Sequence, residues 1–331
     1  MKSLKSSNSK RRKFSYYLYY TPLVYFLPSI IPRFRLRGIL KNQNSQQEYI
    51  RSRVRYYFKK TSNFEVSNNA KNLSELFWNQ FFKNKQNSHF IDFYLLLQFF
   101  KQKNKVDFIY SSKDYIDSAV AKKHPIYPTF IKSRPINTEN QNSILLKLNQ
   151  VKLFHFINDP KKFENKKNQA VWRGDIRNNS IREYFVKNFH TSPLLDIGQT
   201  SPKQDVPWIK SFMSINNQLD YKFIFCLEGK CISTNLYWAM SSNSVCVMPK
   251  PKFESWFMEG KLKNGVHYIE VKDDFSDAEE KIEFFKDKND KCMDIIDNAN
   301  KFVKQFKDEK RERLIQLLVL KQYFEFTGQY E

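Results

Sequence analysis

Glycine is scarce in this chain, with seven among 331 residues. Neither a GxGxxG run nor a GxxxxGK(S/T) run occurs, which excludes the dinucleotide fingerprint and the P-loop as phosphate binders. Cysteine is rarer still. Cys226, Cys231, Cys246 and Cys292 form no CxxC pair and have no histidines at metal-ligand spacing, so they read as reduced, buried thiols and no metal site is expected. Acid is almost missing from the first 60 residues, where fifteen Lys and Arg face the single Glu48. Internal repeats and long low-complexity linkers are absent too.

What is present is globular material. A composition of 41% hydrophobic and 16% aromatic residues suits a real core, and the length suits one large or two medium domains. The formal charge of +22 admits nucleic acid, a phospholipid surface or phosphorylated substrates as partners. Most of that excess lies in the first 60 residues, so the body is only mildly cationic. Between Lys13 and Arg33 runs the uncharged stretch FSYYLYYTPLVYFLPSIIP, close to the shortest length that spans a bilayer. Pro22 and Pro28 interrupt it, its tyrosines favour the headgroup region, and both flanks are basic. Residues 1–40 therefore read as a basic, aromatic arm on an anionic membrane surface; the alternative is an arm that covers the protein body. The prolines also argue against a cleaved secretory signal.

Further on, EYIRSRVRYYFKK and FIDFYLLLQFFKQ carry apolar residues at helical spacing. From Val106 the runs VDFIYSS, HPIYPTFIKSR, SILLKLN and KLFHFIN read as short strands. A second block follows, with AVWRG, LLDIG, YKFIFCLEG, SVCVMP and VHYIEV as strands. Between these, SIREYFVKNFH, CISTNLYWAMSS and the run from Asp277 to Phe306 have helical periodicity. Strands alternating with helices predict an α/β fold with parallel sheets.

Five of the seven glycines fall between residues 174 and 265, and three of them end predicted strands. Such a glycine lets the chain turn toward a helix and lets main-chain N–H groups approach a phosphate. Three constellations stand out. The first is Arg173, Gly174, Arg177 and Arg182, a set of guanidinium forks beside a helix start that suits a diphosphate; pairing with acids such as Asp175 and Glu183 is the alternative. The second is Gly229 followed by Ser233, Thr234 and Asn235 at a predicted N-cap. The third groups Glu254 and Trp256 with His267 and Tyr268; either aromatic can stack on a base or sugar, or fill the core.

Taken in order, AVWRGDIRNNSIRE, LDYKFIFCLEGKCISTNLYWAMSSNSVCVMPKPKFESWF and GVHYIEVKDDFSDAEEKI, with YPTFIKSRPI upstream, resemble glycosyltransferase family 90. The similarity is to its bacterial lipopolysaccharide core branch, and it extends across nearly the whole chain. It implies a GT-B fold, two Rossmann-like domains facing across a cleft, with a helical basic segment ahead of them. The expected division is an arm at 1–40, an acceptor-side domain at 41–166, a UDP-sugar domain at 167–304, and a helix at 305–331 packing back on the acceptor side.

The resemblance further implies inverting transfer of a hexose from a UDP-sugar without a metal or other cofactor. The acceptor is expected to be a lipopolysaccharide inner-core sugar; capsule polysaccharide or protein Ser/Thr are the alternatives within the family. A metal-free enzyme must meet the leaving diphosphate with cations and N–H donors. The family places Arg173, Arg177, Arg182 and the Ser233–Asn235 loop there, although its eukaryotic members carry arginines where this chain has Glu228 and Asn235. The catalytic base is expected at Asp114, with Asp117 and Asp159 in reserve; a solvated pairing with Lys113 or Lys122 is the other reading of Asp114. The expected location is cytoplasmic, peripheral on the inner membrane face. No recognised nucleic-acid module is present, so nucleic acid is not an expected partner.

Overall fold

A computed structural model describes residues 47–72, 74–76, 88–101, 103–108, 126–136, 140–200 and 205–330, together with Phe14, Ser15 and Leu18. The chain divides into two compact units. Among the described residues, one takes those up to Leu153, with Phe253–Phe257 and those from Asp308 onward; the other takes Phe154–Lys252 and Met258–Lys307.

In chain order the elements begin with α1 (Gln47–Tyr57), β1 (Lys71–Asn72), α2 (Ser88–Leu97), β2 (Lys105–Val106), β3 (Thr129–Ile131), β4 (Ser133–Pro135) and β5 (Ser143–Leu145). Then come β6 (Lys167–Gly174), α3 (Ser180–Phe189), β7 (Leu195–Gln199), α4 (Ile215–Gln218), β8 (Tyr221–Phe225), α5 (Leu236–Ala239) and β9 (Val245–Met248). The last are β10 (Phe253–Ser255), β11 (Ile269–Glu270), α6 (Ala278–Phe285), α7 (Asn289–Lys304) and α8 (Glu309–Phe326). The fold is mixed α/β.

The unit holding the N-terminal elements is built on α1 packed against α8. A buried polar hub joins them. Arg53 meets Glu312 at 3.0 Å, and the Trp256 Nε1–H donates to the same carboxylate at 2.5 Å. Tyr57 stacks on Trp256 with ring centroids 3.7 Å apart, while its hydroxyl donates to the Trp256 carbonyl at 2.8 Å. β10 pairs antiparallel with β4, setting Glu254 opposite Arg134. Arg134 is fully buried; its Nε–H donates to Glu254 at 2.8 Å and its other nitrogens to the carbonyls of Tyr56, Tyr57 and Ser143. An ion pair this deep is stable only with every donor placed, and here the main chain completes the set.

The other unit is a five-stranded, all-parallel sheet in the order β11-β9-β8-β6-β7. Its strands are Val-, Ile- and Phe-rich, and all five residues of β8 are buried, as a central parallel strand covered on both faces requires. Ala170, Trp172, Leu195, Ile197, Phe223 and Phe225 share one core with Phe185 and Val186 of α3, Ile282 of α6 and Ile295 of α7. The connection from β6 through α3 adds β7 on one side. The next strand, β8, adds on the opposite side, so the winding reverses between β6 and β8.

Two expectations change here. KLFHFIN is not a strand: Phe154 sits at φ 54°, and the Ile157 N–H is taken by the Ser241 hydroxyl rather than by a ladder partner. The helix read across CISTNLYWAMSS contracts to α5. Asn235 precedes it with its amide turned back to the Phe225 carbonyl at 2.8 Å, leaving the helix without a side-chain cap.

Candidate active site

In open parallel sheets, ligands bind beyond the carboxyl ends of the strands where the winding reverses. In this unit that place is bounded by the loops after β6 and β8. One side chain ties these loops together. Arg182, in the first turn of α3, donates through Nη1 to the Asp175 carbonyl at 3.2 Å, through Nη2 to the Leu227 carbonyl at 2.7 Å, and through Nε to the Glu228 carbonyl at 3.1 Å. Its guanidinium also lies over the Trp172 ring, 5.7 Å from the centroid. Burial pulls its pKa down from the ordinary arginine value, and the surrounding negative groups, Asp175 foremost, counter that.

Two glycines make this closeness possible. A Cβ at Gly229 would come within 3.1 Å of Arg182 Nη2, and one at Gly174 within 2.4 Å of the Trp172 ring. Gly174, which ends β6, is required by this close approach, and at Gly229 a side chain would press on the Arg182 fork. Beyond Gly229, buried Ser233 donates to Asn235 Oδ1 at 2.5 Å, while Thr234 is exposed. Along the same edge the Glu228 carboxylate accepts the Lys252 N–H at 3.1 Å, and Lys252 pairs with Asp273 at 2.9 Å.

The other two arginines of the first constellation go elsewhere. Arg173 turns to β7, where it pairs with Asp196 at 2.6 Å and donates to the Trp172 and Asp196 carbonyls. Asp196 also accepts from Lys210 at 2.8 Å and from the Tyr221 hydroxyl. Burial works to raise the Asp196 pKa, but the hydrogen bonds from Lys210, Tyr221 and Arg173 outweigh it and hold the carboxyl at about 2. Sequence reasoning missed this cluster; its signal was a lone carboxylate inside the apolar strand LLDIG. Arg177 is exposed and grips Asp175, the pairing weighed as the alternative in the sequence, with Nη2 at 2.5 Å from Oδ2.

The third constellation is dispersed. Glu254 and Trp256 belong to the hub of the N-terminal unit, where the indole is fully buried against Tyr57; packing gives it the core role. Tyr268 is buried beside β11 with its hydroxyl on Glu270 at 2.6 Å. The His267 imidazole accepts the Lys263 N–H at 3.0 Å and packs on Phe302, and burial, with Lys263 nearby, lowers its pKa. Asp159 is buried against Lys166 at 2.7 Å and takes the N–H groups of Lys161 and Asn243, which commits its carboxylate to the fold. Asp114 and Asp117 lie outside the described residues, as does the arm apart from Phe14, Ser15 and Leu18. Among the described residues no three His, Cys, Asp or Glu side chains gather as a metal-holding group, and no helix is long and apolar enough to cross a membrane.

The chain is similar to known proteins over most of its length. The sequence profile of glycosyl transferase family 90 matches residues 142–326, which takes in the whole parallel sheet and the helices packed on it. The chain is also 38% identical over 276 residues to the O-glucosyltransferase LpsA of Dichelobacter nodosus, covering 83% of this chain and 82% of that protein. The chain belongs to glycosyl transferase family 90. A shorter likeness, 32% identity over 134 residues, links this family 90 glycosyltransferase to protein 179R of Invertebrate iridescent virus 6; it covers 38% of this chain and 11% of the viral one.

Proposed function

We propose that the protein is an inverting hexosyltransferase that moves a hexose from a UDP-sugar to an inner-core sugar of lipopolysaccharide. The observation that carries this reading is the Arg182 brace at the reversal point of a parallel sheet in a family 90 chain. The likeness to an O-glucosyltransferase favours glucose as the hexose over galactose. The lipopolysaccharide acceptor follows the bacterial branch that the sequence resembles.

In this reading the two units form a GT-B pair, and the diphosphate sits over the loops after β6 and β8. The acceptor oxygen attacks the anomeric carbon from the side opposite the diphosphate, the bond from that carbon to the phosphate oxygen breaks, and the configuration inverts in one displacement. UDP leaves with the bonding pair. Arg177 and the N–H groups of the 229–235 loop, on loops that Arg182 braces, offset the charge that develops on it. Asp114 takes the acceptor proton. The protein would work on the inner face of the cytoplasmic membrane, held there by residues 1–40.

The test is transfer from UDP-glucose, UDP-galactose and other UDP-sugars to a truncated lipopolysaccharide core, with the anomeric configuration of the product read by NMR. Transfer from UDP-glucose with inversion is expected. Replacing Asp114 with Asn should abolish transfer while leaving UDP affinity nearly intact. Retention of configuration, or full turnover by that variant, would overturn the mechanism.

A further inference from the structure

The loop after β6 carries an anion of its own. Asp175 directly follows Gly174, and its carboxylate fills the fork of Arg177: Nε lies 3.0 Å from Oδ1 and 2.9 Å from Oδ2, and Nη2 lies 2.5 Å from Oδ2. The same Oδ1 accepts the main-chain N–H of Arg177 at 2.9 Å, so the turn holds the carboxylate in place. The Asp175 carbonyl is the one that Arg182 Nη1 holds. The pair therefore stands at the lip of the braced loops. It is also exposed, at 62% for the Arg177 side chain and 43% for Asp175.

These facts set the pair apart from the other arginine contacts of the site. Arg173 is nine-tenths buried on a carboxylate within the sheet, and Arg182 is committed to three carbonyls. Exchanging either partner set means breaking buried bonds. Exchanging Asp175 for another anion at Arg177 does not, because an exposed ion pair contributes little and water can take up the released carboxylate. A bidentate guanidinium fork serves a phosphate as well as a carboxylate.

We infer that Asp175 is an internal stand-in for the donor diphosphate: it occupies Arg177 when the site is empty and must be displaced when a nucleoside diphosphate binds. This rests on the donor-site reading above. Asp175 is then a residue that sets donor affinity by competition. It holds the loop in a charge-balanced state between turnovers and weakens the hold on UDP, which helps the product leave.

The experiment measures UDP affinity calorimetrically, with inorganic pyrophosphate as a second probe. Asp175→Asn keeps an Oδ1 acceptor for the Arg177 N–H and removes the charge; Asp175→Ser, whose hydroxyl also serves such a turn, gives a second charge-free form. Each should bind UDP about two- to fivefold more tightly, the strength of the exposed ion pair that no longer has to be broken at Arg177. Arg177→Ala should weaken binding and, combined with Asp175→Asn, should erase the gain. A gain that survives without Arg177 would show general charge repulsion and overturn competition. Unchanged or weaker UDP binding by both charge-free forms would also overturn it, with the donor reading intact. Failure of the unaltered protein to bind UDP or pyrophosphate at all would overturn both.

Discussion

Removing the guanidinium of Arg182 gives the sharpest test of how the site is held together. Arg182→Ala takes three donors from three loop carbonyls, and their surroundings decide the cost. Asp175 and Glu228 are only half-buried, so water can replace the lost partner there, whereas Leu227 is buried and its carbonyl loses a bond of 2.7 Å. A buried acceptor left unsatisfied costs about 1–3 kcal/mol. With smaller losses at the two wetter carbonyls, the whole change comes to about 2–3 kcal/mol. Arg182→Lys restores one donor group without the planar fork, so it should recover part of the stability but not the spacing of the loops. Urea denaturation followed by fluorescence reads the first quantity, and calorimetric titration with UDP reads the second. The expected pattern is Ala below Lys below the natural residue in midpoint, with UDP affinity low in both variants. If Arg182→Ala unfolds at the natural midpoint and binds UDP as before, the loops do not depend on this brace.

Two further outcomes follow from the same unit. Gly174→Ala drives a methyl into the Trp172 ring, which is almost fully buried, and overpacking of this kind should cost about 1–3 kcal/mol in urea denaturation; a neutral result would mean that the ring has room to move. Asp196 has a depressed folded pKa, so the stability it contributes is complete above its unfolded value near 4 and is lost as pH falls toward about 2. Asp196→Asn should therefore be less stable at neutral pH and should show a flatter decline between those pH values; an unchanged acid limb would refute the assignment.

The parallel sheet was legible in the sequence because its strands are short apolar runs with a glycine or proline near their ends, and AVWRG, LDIG and YKFIF all appear within β6, β7 and β8. Arg182 was also legible, as a cation in the first turn of a helix after a strand-ending glycine. Its partners were not. Main-chain carbonyls have no sequence signature, so an arginine that grips a loop looks the same in the sequence as one that waits for a phosphate. KLFHFIN misled because alternation of apolar residues does not register a left-handed residue such as Phe154. Trp256 and Glu254 misled for a different reason. They lie between β9 and β11 in sequence, yet the chain leaves that unit over Phe253–Phe257, where β10 pairs with β4.

That excursion bears on how members of the family can be recombined. A chimaera joined once, near residue 153, would inherit Arg134 and Tyr57 from one parent and Glu254 and Trp256 from the other. A buried guanidinium would then face whatever the second parent carries at position 254. The natural cut is made of four joints, with Phe253–Phe257 and the chain from Asp308 onward travelling with the N-terminal elements. Selection for a new donor or acceptor is thus expected to exchange loops on a retained frame rather than whole halves of the chain.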